Sequence, residues 1–410
     1  AMRLPLGSQA ELFLGDCHVC HSVSANGEVM ATGIDWSGSV LASATYNLTT
    51  GTAPPPEIVR GGDPAMFTFP GLTPDGKRAL TWGTKPGSLG VRAQAKGVTR
   101  LVDTFTGQVI TTPTLTVQYA QSPSFSPDGK YVAFNNTDVG ETHLAVMDYD
   151  GTLNPPAFSN LRDVAVHATK PLTWPSFLPD SLGVVYQESN KFETTWPSEL
   201  RLVELGNQEI KPLGALNGYL PDGTVYLPGG ATGDVNTGQG DDWKDYEPTV
   251  MPRPIGGYFW VMFASRRIYG NTIGPGGTAT PTDQWNAWSM VRKKIWVAAV
   301  DIDHPTKPDP SHPAFYLPGQ EIDYASLHPF VSLDPCRPLG ATCESGADCC
   351  DGFCRETGRQ PDGTPILECV PPPPGGCSQI DEVCVTPADC CDPTLLCIVN
   401  RCAIPTPAIY

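Results

Sequence analysis

The sequence predicts an all-β chain: a β-propeller of about six blades followed by two small disulfide-rich modules. Three observations lead there. A Pro-Asp-Gly-type turn between apolar strands recurs through the first 330 or so residues. Proline (43) and glycine (42) are abundant while charged residues make up 17%, a balance that favours turns and short strands over long helices. Twelve of the fourteen cysteines crowd beyond residue 335.

The turns come in order as Ser24-Ala25-Asn26-Gly27, Thr73-Pro74-Asp75-Gly76-Lys77, Ser126-Pro127-Asp128-Gly129-Lys130 and Leu178-Pro179-Asp180-Ser181. Met251-Pro252-Arg253-Pro254-Ile255-Gly256-Gly257 fills the same slot in degenerate form. Proline presets φ, the Asx side chain bonds back to the backbone, and glycine takes the left-handed position. An alternating strand follows each turn, as in Tyr131-Val132-Ala133-Phe134 and Gly183-Val184-Val185-Tyr186. A further strand ends each unit, such as His143–Asp148 or Lys294–Val300. Units of roughly 40–50 residues with three or four short strands are propeller blades. The phrase Pro123-Ser124-Phe125-Ser126-Pro127-Asp128-Gly129-Lys130-Tyr131-Val132-Ala133-Phe134 resembles the repeat of TolB-type, WD40-like (PD40) propellers, closely in this unit and more loosely in the others.

The tail repeats a different frame. Cys336-x6-Cys343-x5-Cys349-Cys350-x3-Cys354-x14-Cys369 is followed by a Pro/Gly linker, then by Cys377-x6-Cys384-x5-Cys390-Cys391-x5-Cys397-x4-Cys402. Modules this short need staples, and sequence alone leaves the pairing open. Both frames resemble inhibitor-cystine-knot (knottin) modules. The resemblance implies Cys336–Cys350, Cys343–Cys354, Cys349–Cys369, Cys377–Cys391, Cys384–Cys397 and Cys390–Cys402. The expected organisation is an N-terminal segment 1–21, propeller 22–335, first knot 336–370, linker 371–376 and second knot 377–410. The tetraproline of the linker reads as a stiff spacer holding the knots apart.

Cys17-His18-Val19-Cys20-His21 is a CxxCH pattern, the spacing of c-type haem attachment. Cys17 and Cys20 would form thioethers to the porphyrin, and His21 would ligate the iron from the proximal side. A Cys17–Cys20 disulfide, or a zinc site of these residues with His18, are the alternatives. For the distal position the expectation is His312, with His167 and His328 behind it, because a closing ring brings the end of the propeller back to its start. Arg266 or Arg267 could pair with haem propionates. The acidic stretch 228–247, with Asp241, Asp242, Asp245 and Glu247, is a minor option for calcium, since no EF-hand ligand series is present.

A net charge of −17 disfavours nucleic acid as a partner. No apolar run is long enough to span a bilayer, and no leader pattern stands at the N-terminus, as in a mature chain whose signal peptide is gone. The cysteine density indicates an oxidising compartment, periplasmic or extracellular in a bacterium. The leading expectation is an exported mono-haem cytochrome that passes electrons to a redox partner or to a neighbouring copy. An adhesion or scaffold protein, binding cell-surface or matrix material through propeller and knots, is the alternative from another class. A haem enzyme with an open axial site is a third. No Ser-His-Asp elbow or HExxH motif supports hydrolase chemistry, and no catalytic residue stands out.

Overall fold

The computed structural model describes residues 2–3, 11–14, 18–36, 40–50, 52–61, 70–83, 98–190, 197–226, 245–265, 267, 293–320, 326, 328–331, 337, 339–349, 352–361, 363–371, 377–380, 382–384, 387–398 and 401–403. A short hairpin of β1 (Met2–Arg3) and β2 (Glu11–Leu12) precedes the repeats. Leu14, just after it, packs with Met30, Ile34, Ala44 and Tyr46 of the first blade.

The repeats form a β-propeller, with five four-stranded antiparallel blades among the described residues. Blade 1 comprises β3 (His18–Val23), β4 (Val29–Trp36), β5 (Val40–Asn47) and β6 (Glu57–Gly61). Blade 2 comprises β7 (Gly71–Leu72), β8 (Arg78–Leu80), β9 (Leu101–Asp103) and β10 (Val109–Ile110). Blade 3 comprises β11 (Ala120–Phe125), β12 (Tyr131–Asn136), β13 (His143–Asp150) and β14 (Ala157–Val166). Blade 4 comprises β15 (Leu172–Phe177), β16 (Gly183–Ser189), β17 (Ser198–Glu204) and β18 (Ile210–Pro212). One α-helix, α1 (Gly214–Asn217), follows it. Blade 5 comprises β19 (Asp245–Val250), β20 (Tyr258–Ser265), β21 (Lys294–Asp301) and β22 (Phe315–Tyr316).

Five blades are thus complete among the described residues, against the expectation of about six. Long connections between strands, such as Leu80 to Leu101 in blade 2 and Ser265 to Lys294 in blade 5, stretch the unit beyond the assumed period.

The predicted turns work as their chemistry requires. Ser126 donates its hydroxyl to Asp128 (2.6 Å) and accepts the Tyr131 amide (2.9 Å), while Asp128 accepts the Lys130 amide (3.1 Å). Gly129 takes φ 71°. Thr73 and Asp75 repeat this around Gly76, and Ser24 and Asn26 repeat it around Gly27. Buried apolar residues of adjacent sheets then form the interblade cores: Ala133, Val146 and Leu144 of blade 3 pack with Phe177, Val184 and Val203 of blade 4.

Beyond the propeller come β23 (Cys354–Arg359) with β24 (Pro365–Cys369), and β25 (Leu396–Ile398) with β26 (Arg401–Ala403). Disulfides join Cys343 to Cys354, Cys349 to Cys369, Cys377 to Cys391, Cys384 to Cys397 and Cys390 to Cys402. Cys336 and Cys350 lie outside the described residues. The two modules are not held apart. Arg355 of the first pairs with the buried carboxylate of Glu382 in the second and donates to the Cys377 carbonyl (3.1 Å).

Candidate functional site

The inner strands of the blades surround a central channel. Its cavity, about 110 Å³, is lined by Ser22 of β3, Leu72 of β7, Ser124 of β11, Ser176 of β15 and Thr249 of β19, among others. Four of these strands carry a bulge at one level: between Val19 and Ser22, Gln121 and Ser124, Thr173 and Ser176, and Tyr246 and Thr249. The bulged pairs are Cys20-His21, Ser122-Pro123, Trp174-Pro175 and Glu247-Pro248. Ser122, Trp174 and Glu247 each take positive φ (45°, 54° and 51°), the left-handed conformation that the first residue of a G1-type bulge adopts. Proline is tolerated beside them because an inner strand has one free edge, so no ladder bond is lost.

A chain of rings crosses this end of the channel. His328 stacks on Phe330 (4.6 Å between centroids) and meets Trp174 edge-on (4.9 Å); Trp174 in turn meets Trp82 (5.6 Å). Phe330 also packs against His21 (5.4 Å). His328 Nε2 lies 2.8 Å from Thr249 Oγ1. Burial, helped by the nearby His21, pushes the His328 pKa down to about 3, so the ring is neutral.

This geometry overturns the haem reading. Cys20 and His21 belong to a ladder-paired strand and occupy the same bulge slot as Ser-Pro, Trp-Pro and Glu-Pro in other blades. Phe330 packs against both His21 and His328, filling the space a ligated macrocycle would need. The adjoining cavity, about 110 Å³, falls well short of the ~300 Å³ at which even small-ligand pockets begin. The cysteines described in the tail are held in disulfides. Cys17 lies outside the described residues, and of Cys20 only the backbone is described. With the haem go iron ligation, electron transfer and a redox partner.

The remaining candidates scatter. His167 Nδ1 accepts the amides of Thr169 (3.1 Å) and Lys170 (2.9 Å), capping a local turn. His312 sits on blade 5, 3.1 Å from Asp301 and edge-on to Tyr258. Only His328 comes near His21. Arg267 is no propionate ligand: it is buried, 2.6 Å from Asp245 and over the rings of Phe263 and Trp296. Arg266 lies outside the described residues. The same pair removes Asp245 from any calcium site. Glu247 is buried too, its carboxyl pKa raised by burial against the weaker pull of Lys293. Asp241 and Asp242 lie outside the described residues. The calcium option therefore loses the carboxylates that can be placed.

A second concavity, not foreseen from the sequence, opens beside α1. This cleft of about 430 Å³ is lined by Ala215, Tyr219, Leu220, Pro221, Tyr226 and Pro313, none of them charged. The phenols are satisfied internally, Tyr219 donating to Glu199 (2.6 Å) and Tyr226 to the Ala215 carbonyl (2.8 Å), so the cleft shows ring faces. Leu220 is 46% exposed; Phe315, two residues past Pro313, is 49% exposed and packs on Trp260. The sequence signal was the apolar and proline run around Tyr219-Leu220-Pro221, which reads as an ordinary turn.

The chain matches no family model and no curated protein. Solved structures match it at low identity and with TM-scores below 0.5. A TolB of Agrobacterium tumefaciens is 13% identical, with 74% of this chain and 80% of that one covered at TM-score 0.40. Hydrazine synthase of Kuenenia stuttgartiensis is 11% identical, with 74% and 67% covered at TM-score 0.40. TolB of Acinetobacter baumannii is 12% identical, with 77% and 61% covered at TM-score 0.40.

Proposed function

We propose that the protein is an exported binding scaffold that uses its propeller, and the docked pair of knots behind it, to hold a partner at the cell surface or in the surrounding matrix. The observation that carries this reading is the uncharged aromatic cleft beside α1, with exposed Leu220 in its lining and exposed Phe315 on β22 two residues past the lining Pro313, while the central cavity is small. Apolar surface of this kind on a secreted domain marks an interaction site. The partner is a protein segment that is itself uncharged and apolar, since the lining offers neither charge nor a free phenol for polar readout. The disulfides of the tail support residence in an oxidising compartment. No helix among the described residues is long and apolar enough to cross a membrane.

The test is co-sedimentation of purified protein with envelope and matrix fractions of the producing cells. The wild type should bind, with little loss as salt rises, because apolar contacts are not screened. Leu220→Asp with Phe315→Asp should abolish recovery. Equal recovery of the double variant, or binding that vanishes in salt, would remove the cleft as the carrier.

A further inference from the structure

The first and last blades share no strand among the described residues: each blade is built from one consecutive stretch, in the order β3-β4-β5-β6 for the first and β19-β20-β21-β22 for the last. A ring assembled this way needs something else to hold its ends together. The segment after blade 5 lies where that function is required. Ser326 starts it, donating its amide to the Lys293 carbonyl at the head of β21 (2.8 Å) and its hydroxyl to Gln320 (3.0 Å). Gln320 is itself bonded to both the amide and the carbonyl of Ile295 (2.7 and 2.9 Å). The chain is thus moored to blade 5 before it reaches the channel. There His328 meets Thr249, on the inner strand of blade 5, and its ring is held between Trp174 and Phe330. Two residues on, Phe330 reaches His21 on the inner strand of blade 1. Val331 and Phe330 both line the cavity with residues from all the inner strands.

We propose that His328-Pro329-Phe330-Val331 is the clasp that closes the propeller ring, joining the last blade to the first at Thr249 and His21 in place of a shared strand. Its docking points are Thr249, met by His328, and His21, met by Phe330. Pro329, between His328 and Phe330, restricts the backbone so that their two rings stack without a large ordering cost.

The test is native-state hydrogen exchange on the full chain, comparing wild type with Phe330→Ala and His328→Ala. A clasp predicts that amides of β3 and β19 exchange at least about tenfold faster in both variants, while those of β12 and β13 keep their wild-type rates. A rise spread evenly over every blade would mean ordinary core packing, and no change at β3 and β19 would mean the segment merely rests on the ring; either result overturns the proposal. Should Phe330→Ala not fold, Phe330→Leu, which keeps most of the volume but loses the ring stacking, is read by the same criterion.

Discussion

His304 Nε2 lies 2.8 Å from Asp180 Oδ2, tying the turn of blade 4 to the one-turn helix that follows β21. The other ring nitrogen meets Glu204 at 2.7 Å, so a fully buried imidazole stands between two carboxylates. Lys211 completes the cluster, donating to the carbonyls of His304, Pro305 and Lys307 (2.9, 2.9 and 2.7 Å) and lying 3.9 Å from Glu204. Burial opposes charge on the ring, but hydrogen bonds to Asp180 and Glu204 outweigh it and raise the pKa to about 9.

That shift makes stability depend on pH in a definite sense. A pKa raised from 6.5 to about 9 means the folded state holds a proton that the unfolded chain releases earlier. The stabilisation is complete below about pH 6.5 and is lost as pH climbs through about 9, on the order of 3 kcal/mol in all. Thermal melts across this window should show a falling midpoint for the wild type. His304→Gln should start lower and stay flat; a parallel decline in the variant would place the dependence elsewhere.

Gly71 sits where two blades nearly touch. A Cβ there would lie 2.7 Å from the Pro123 carbonyl oxygen of β11, a backbone atom that cannot swing aside. Gly71→Ala should therefore destabilise by about 1–3 kcal/mol. Gly206→Ala is the control, since nothing lies within 4 Å of its added carbon. Urea unfolding of both variants measures the contrast.

The Asp245–Arg267 pair is buried at both ends. Arg267→Met should cost about 3–5 kcal/mol, because it strands a carboxylate whose pKa burial already raises. Adding Asp245→Leu should recover most of that loss. A double variant as unstable as the single one would show that packing on Phe263 and Trp296, not charge pairing, is what Arg267 supplies.

Gly352 marks the contact between the two tail modules. It takes φ +78°, and an added Cβ would collide with Val383 of the second knot. Gly352→Ala should leave the disulfides intact on mass mapping yet speed proteolytic cleavage in the 371–376 linker. Unchanged cleavage would mean the modules stay docked through Arg355 and Glu382 without this close approach.

Much of the fold was legible because turn chemistry is local. Ser126, Asp128 and Gly129 specify one another within four residues, and the strands Tyr131–Asn136 and Gly183–Ser189 follow from them. The length of a unit was less legible, since long connections such as Leu80 to Leu101 lie between paired strands. The site was misread at Cys20-His21 for a physical reason: a short pattern says nothing about whether its residues form a loop or a paired strand. Its partners, Phe330 and Thr249, lie hundreds of residues away. His304 left a faint trace in the sequence, because Leu178-Pro179-Asp180-Ser181 lacks the leading Thr73 or Ser126 hydroxyl that engages Asp75 and Asp128 in the second and third turns, leaving Asp180 available.

Every blade among the described residues arises from a single unbroken stretch of chain. Tandem duplication or loss of one such stretch in the gene adds or removes a complete sheet and leaves all other strand pairings as they were. Where terminal strands are exchanged between the two ends, the same event must preserve both ends at once. Here the repeat number can drift by single genetic steps, and only the fit of the segment around Phe330 has to be readjusted to the new circumference.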